Sequence, residues 1–259
     1  DSKDAFFEFS RHDKLYKKVQ NLIFEMQGKI IEKITAKALG AIHLLRKNLE
    51  KIRFQGDKRL FEDFKNNPGL VEFHKSLKDS FQKYSKEFGR GTFYQGLKSI
   101  HVIGQRPTEK RFGIYGLKKY LKRNYSVLDI GSNCGFFSLY VSQFVRSVDG
   151  IEKDPHMIEI ANKVKEYLEI ANCNFHQSTF EEFKSNKRYD CILSFAVHRR
   201  IKYTLEGYLE QLDKLLNKNG FLVLESHNAK KEDKNFIEDA KSALGKRYAV
   251  KKFGRVKDD

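Results

Sequence analysis

The chain has 259 residues, 40% hydrophobic and 32% charged, with only three prolines, a profile of a folded globular protein with room for one ordinary core and a smaller appendage. No run of 18 apolar residues occurs, so no membrane-spanning helix is encoded. The net charge of +16 points to anionic partners in general. It is spread evenly, however: residues 1–105 hold 21 Lys/Arg against 13 Asp/Glu and residues 106–259 hold 29 against 21, +8 in each part. Lys outnumbers Arg by 36 to 14, and such a bias, with plentiful Phe, Asn and Ile, also follows from an AT-rich bacterial genome. Charge alone therefore does not choose among phosphorylated sugars, lipids and RNA. The three cysteines, Cys134, Cys173 and Cys191, form no C-x-x-C pair and each sits in or beside an apolar run. They read as reduced, buried thiols of a cytoplasmic protein, with no metal site.

In chain order, apolar residues fall at helical spacing at Leu15, Val19, Leu22, Ile23 and Met26, and again from Ile31 through Ile52. Asn66-Asn67-Pro68-Gly69 breaks the pattern, and Val71, Phe73, Leu77, Phe81, Tyr84 and Phe88 resume it. Residues 1–88 are thus expected to be a helical accessory domain. Residues 89–110, Gly-rich and aromatic, read as a loop-like connector that contributes to the active site. Thr108 has the chemistry of an N-cap, predicting a helix through Tyr120.

From Ser126 strands and helices alternate: strands at Val127–Ile130, Val148–Ile151, Asn174–His176, Cys191–Phe195, Phe221–Glu225 and Tyr248–Phe253, and helices at Phe136–Val145, from Pro155 to about Leu168, at Thr204–Leu216 ended by Asn219-Gly220, and at Phe236–Leu244. This spacing predicts an α/β domain over residues 111–259, a doubly wound, mostly parallel, Rossmann-like sheet.

The strongest chemical signal is Val-Leu-Asp-Ile-Gly-Ser-Asn-Cys-Gly-Phe-Phe, residues 127–137, where a buried strand runs into Gly131 and a helix opens near Gly135. Glycines at such a junction permit positive φ and close approach of a ligand. Glu152 ends the next strand, 23 residues after Asp129, where a carboxylate can accept both hydroxyls of a ribose. No Gly-x-Gly-x-x-Gly spacing favours NAD here, and no Gly-Lys-Ser/Thr forms a P-loop.

On these residues the chain resembles the class I S-adenosylmethionine-dependent methyltransferase family, over about Val127 to Glu225. Members carry an acidic residue and then Gly-x-Gly-x-Gly; this chain shows Asp129, Gly131, Asn133 and Gly135, with asparagine at the middle glycine, a residue that also adopts left-handed conformations. The resemblance implies an enzyme that binds S-adenosyl-L-methionine. It implies that Asp129 and the Gly131 backbone hold the methionine end, that Glu152 holds the ribose, and that the loop carrying Thr179 and Phe180 flanks adenine. Many members have aspartate where Thr179 stands. Ser194 lies on the strand whose tip adjoins the transferred methyl group. Members end their sheet with a seventh, antiparallel strand; here only Gly254–Asp259 follow the sixth, so either the natural chain is expected to continue or its last strand is expected to have been disordered or cut away, and with no initiator methionine the true start is unseen.

The acceptor side is less defined. The strand tip at Phe195-Ala196 leads into Val197-His198-Arg199-Arg200, without the Asn-Pro-Pro-Tyr pattern of planar-amine methylation or a Pro-Cys pair for base-carbon methylation. That leans toward an oxygen acceptor. His198 is the candidate general base, because imidazole suits proton removal near neutral pH; Glu225 and His227 are the second acid/base candidates. Arg199, Arg200 and Tyr94 are candidate acceptor contacts. Pro107 holds the residue before it extended and so aims Arg106 at a cofactor carboxylate or an acceptor anion. Three readings stay open: methylation of a glycan or phosphorylated small molecule in bacterial surface-polysaccharide or secondary metabolism, tRNA or rRNA methylation, and a non-catalytic cofactor-binding scaffold. The helical first part would serve acceptor binding or self-association.

Overall fold

The computed structural model describes residues 67–88, 93–226, 235–245 and 248–249. The helical stripes before Asn67, His227, and the sixth strand expected from Tyr248 to Phe253 apart from its first two residues lie outside the described residues.

Helix α1 (Pro68–Phe88) comes first, then two short strands, β1 (Gln95–Gly96) and β2 (Arg106–Pro107), and helix α2 (Thr108–Tyr115). The α/β part follows as β3 (Ser126–Ile130), α3 (Phe136–Val141), β4 (Ser147–Glu152), α4 (Pro155–Tyr167), β5 (Cys173–Gln177), β6 (Tyr189–Phe195), α5 (Leu205–Leu215), β7 (Leu216–Glu225) and α6 (Phe236–Leu244). The five long strands pair in the order β5-β4-β3-β6-β7, all parallel. Strand order reverses at β3, so a crevice lies outside the carboxyl ends of β3 and β6, where open α/β sheets bind ligands. The doubly wound, Rossmann-like expectation holds. No described helix is long and apolar enough to cross a membrane.

The central strand β3 is buried along its whole length, and its alternating side chains feed two cores. Val127 joins Val148, Leu139, Ile160 and Val164 on one face; Leu128 and Ile130 join Ile151, Tyr208, Leu209 and Leu212 on the other. Each fully buried aliphatic side chain contributes about 1.5–3 kcal/mol of hydrophobic stabilisation. Helix starts follow local chemistry. Asp154 caps α4 through His156 N–H at 2.8 Å with Pro155 in its first turn, and Thr204 caps α5 through Gly207 N–H at 3.1 Å.

Two local expectations fail. Thr108 is the first helical residue, not a cap, and α2 stops at Tyr115 because Gly116 turns left-handed at φ 66. Asn219-Gly220 does not end α5. Leu215 ends it, and β7 begins at once at Leu216. The β6–β7 register then jumps, with Tyr189 opposite Leu216 but Cys191 opposite Phe221. Gly220 lies in this irregularity, where a Cβ would come 2.8 Å from Leu216 Cγ and 3.0 Å from the Asp190 carbonyl oxygen.

The described part of the connector, from Phe93, has regular structure. β1 pairs in parallel with β2, Gln95 opposite Arg106 and Gly96 opposite Pro107, around a short helical turn closed by the Leu97–Val102 bridge. Gly104 makes this closure feasible: a Cβ there would stand 2.1 Å from the Gln95 carbonyl. From Glu72 onward, α1 belongs to the same compact unit as the sheet. Phe73 stacks on Tyr167 at 3.9 Å between centroids, and Ser80 Oγ donates to Glu159 at 2.9 Å.

Candidate active site

The turn after β3 alternates between ordinary and left-handed residues: Gly131 at φ 71, Asn133 at φ 55 and Gly135 at φ 71. Asparagine thus occupies the middle position in the conformation that its side chain tolerates. The outer glycines are also fixed by space. A Cβ on Gly131 would fall 2.4 Å from Val197 Cγ1, just past β6, and one on Gly135 would fall 2.4 Å from the Phe175 ring. The N–H groups of Gly131 and Ser132 both donate to the Ile151 carbonyl at 2.9 Å, locking the turn to β4.

Glu152 ends β4 beside this turn. Its Oε2 accepts the Asn133 N–H at 3.0 Å and its Oε1 the Asp154 N–H at 3.1 Å, which orients the carboxylate and leaves lone pairs on both oxygens. Asp129 is buried beneath the turn, accepting from Ser138 Oγ at 2.5 Å. Burial pushes its carboxyl up to about 6; the Ser138 hydroxyl opposes this, and Glu152 adds to it.

The side chains of three expected cofactor contacts have partners within the protein. Ser194 is buried and accepts from Tyr208 O–H at 2.9 Å, on the α5 face of the sheet. Phe180 packs edge-on against Tyr208 in the same core. Thr179 Oγ1 donates to Glu182 Oε2 at 2.9 Å and accepts the Glu182 N–H, capping the following turn.

At the tip of β6, Ala196 is held at φ 55, and its N–H donates to the Glu225 carbonyl at 3.0 Å. Of the four non-glycine residues with positive φ among those described, Asn133 and Ala196 both border this crevice, which is where backbone strain tends to be retained. His198 opens a short helical turn and its ring lies 4.8 Å from that of Phe236. Arg199 and Arg200 are exposed.

Glu225 meets α2 and the connector through its carboxylate. Its Oε2 accepts from Arg111 Nη2 at 2.5 Å and from Tyr115 O–H at 2.6 Å, and its Oε1 lies 3.6 Å from Arg106 Nη1. The expected acid/base candidate is thus engaged on the protein side by a guanidinium and a phenol and faces a second guanidinium. Burial alone would lower the Arg111 pKa, but Tyr115 and Glu225 more than offset it and leave it raised; burial and the Glu225 charge raise that of Tyr115. Arg106, besides facing Glu225, lies over the Tyr94 ring at 4.9 Å. Tyr115 stacks on Phe195 at 4.6 Å and 5°, and Phe137 meets Phe195 edge-on at 4.9 Å, so aromatic rings wall the crevice.

The methyltransferase domain family matches residues 121–254, more than half of the 259 residues. The chain belongs to this family. It is a class I S-adenosylmethionine-dependent methyltransferase, as its glycine turn and Glu152 led one to expect. This methyltransferase is 35% identical over 100 residues to an uncharacterized RNA methyltransferase of Mycoplasma mobile, covering 38% of the chain and 27% of that protein. It is 32% identical over 83 residues to the 23S rRNA (uracil(1939)-C(5))-methyltransferase of Francisella tularensis, covering 28% and 18%. It is 30% identical over 121 residues to a ubiquinone biosynthesis O-methyltransferase of Pelagibacter ubique, covering 46% and 48%. The chain therefore spans less than half the length of each of these relatives.

The methyltransferase's turn fits its cofactor. Ser132 Oγ and Asn133 Oδ1 are buried there without a hydrogen-bond partner among the described residues, a state that a polar ligand relieves. When bound, S-adenosylmethionine supplies an electrophilic methyl group on a sulfonium. Arg111 and Tyr115 were missed in the sequence. They stand four residues apart on one helix face, but nothing in that spacing separates a buried ion pair from ordinary amphipathicity. Gln95 showed its position only as part of the connector; its Oε1 accepts the Phe136 N–H at 3.1 Å, directly at the glycine turn.

Proposed function

We propose that this methyltransferase carries the methyl group of S-adenosylmethionine to an oxygen of a small anionic acceptor, a sugar or phosphorylated small molecule, as in bacterial surface-polysaccharide or secondary metabolism. The observation that carries the reading is the chemistry around the β6 tip: one imidazole, His198, and the guanidiniums of Arg106, Arg199 and Arg200, with no thiol. Carbon methylation of a pyrimidine requires a nucleophile to activate the ring, and all three cysteines are buried, with burial pushing each thiol pKa up. In this reading Asp129, Gly131, Asn133, Gly135, Glu152 and the backbone around Thr179 hold the cofactor. His198 removes the proton of a hydroxyl acceptor, and Arg106, Arg199, Arg200 and Tyr94 hold its anionic group. The helical first part, expected over residues 1–88, acts as an accessory domain in a cytoplasmic enzyme, with α1 from Glu72 onward joined to the sheet's own unit. Displacement at a sulfonium needs alignment and, where the acceptor is a hydroxyl, proton removal. Labelled-methyl transfer to glycan, small-molecule and RNA fractions of a bacterial extract tests it; label confined to RNA overturns it.

A second reading, methylation of tRNA or rRNA, draws on the likeness to the Mycoplasma mobile protein and on the net charge of +16. Strong RNA binding that falls steeply with salt, together with methylation of purified tRNA, is its signature.

A further inference from the structure

Two segments meet the cofactor turn from different sides. From the connector, Gln95 Oε1 accepts the N–H of Phe136, the first helical residue after Gly135. From the β6 tip, Val197 Cγ1 fills the space beside Gly131. Both segments are anchored on Glu225. Its carbonyl accepts the N–H of Ala196, the left-handed residue just before Val197. Its carboxylate takes Arg111 and Tyr115 from α2 and faces Arg106, which stands opposite Gln95 in the β1–β2 register. One residue at the end of β7 therefore ties the connector, through its side chain, and the β6 tip, through its backbone, to the same point.

We propose that Glu225 is a positioning residue of the cofactor site, acting through Ala196 and through the Arg106–Arg111–Tyr115 group rather than on the reacting atoms. Its carboxylate accepts from Arg111, whose side chain is only 8% exposed, and from Tyr115, and without it both donors lose this acceptor. The connector then loses one tie to β7, and Gln95 is held less firmly over the turn. This inference goes beyond the proposed acceptor and does not depend on it, because it concerns cofactor affinity alone.

The test uses the whole chain and S-adenosylhomocysteine as the probe in calorimetry. Glu225→Ala is expected to weaken binding about tenfold or more, the scale of losing charged hydrogen bonds. Glu225→Gln, which keeps an acceptor oxygen for Arg111 and Tyr115, is expected to recover affinity to within about threefold of the natural protein. Asp149→Ala is the comparison. Asp149 is also buried with three donors, Tyr189 at 3.1 Å, His176 at 3.1 Å and Lys187 at 3.3 Å, but beside the other core. It is expected to lower the melting temperature and leave affinity unchanged. Unaltered affinity in folded Glu225→Ala, or an equal loss in Asp149→Ala, overturns the proposal. If Glu225→Ala does not fold, Arg111→Lys decides: it keeps the charge but not the fork, and is expected to bind about fivefold more weakly, with unchanged affinity overturning the assignment.

Discussion

The backbone N–H of Asn133 donates to Glu152 Oε2 at 3.0 Å, so the turn after β3 and the tip of β4 are held as one piece. Glu152 thereby shapes the turn before any ligand arrives, with lone pairs remaining for a ribose. Glu152→Ala is expected to weaken S-adenosylmethionine binding by about 1–3 kcal/mol, the cost of a lost charged acceptor. Unchanged affinity by calorimetry would remove the ribose assignment.

The same contact explains what was legible in the sequence. Asp129, Gly131, Asn133, Gly135 and Glu152 could be placed because strand-end carboxylates and left-handed turns depend on residue type and local spacing. The central strands β3, β4 and β6 were anticipated because parallel strands buried on both faces read as apolar runs, whereas the outer strands β5 and β7 are only partly buried. What escaped was non-local. Arg111 and Glu225 are 114 residues apart, and no periodicity marks such a pair. The contacts that Ser194 and Phe180, expected at the cofactor on family resemblance, both make with Tyr208 were likewise not legible. Strand alternation places Ser194 on the same face as Leu128 and Ile192, away from α3.

Asn133 stands at φ 55, which makes its replacement a test of backbone conformation rather than of contacts. Asn133→Gly is expected to leave stability nearly unchanged. Asn133→Val is expected to lower it by about 1–2 kcal/mol, the cost of a left-handed residue with a branched side chain. Urea unfolding measures both, and equal stability of the two variants contradicts the assigned turn.

Asp129 makes stability depend on pH. Burial raises its carboxyl pKa from the ordinary 3.8 to about 6 in the folded chain. Between those values the folded state binds more protons than the unfolded one, so this group's contribution falls as pH rises from about 4 to 6 and is flat above. Asp129→Asn is therefore expected to remove that slope and to gain on the order of 1–3 kcal/mol over the natural protein at pH 8 relative to pH 4. Asp149 and Asp190 are shifted down by their donors and slope the other way, so the difference between variant and parent is the quantity to measure. A cationic ligand favours the ionised form. Binding of S-adenosylmethionine near pH 6 is accordingly expected to release protons, seen as a buffer-dependent heat in calorimetry, and no release argues against Asp129 at the methionine end.

His198 carries the last prediction, because it is the imidazole among the acid/base candidates and stands just past the β6 tip. Its ring is seated against Phe236 of α6, so a change there tests the imidazole in a defined position. If the acceptor is a hydroxyl, its proton must leave as the carbon–oxygen bond forms, and His198→Ala is expected to lower turnover roughly 10²–10⁴-fold with cofactor affinity little changed. His198→Gln, similar in size but without a basic nitrogen, should not restore it. If the accepting oxygen belongs to a phosphate or carboxylate, no proton has to move, and the same variant should lose about tenfold or less, through packing and orientation. Steady-state turnover and S-adenosylhomocysteine affinity, measured on the same preparations, separate these cases. A parallel loss of affinity in both variants would place His198 in cofactor binding instead and withdraw it as the base.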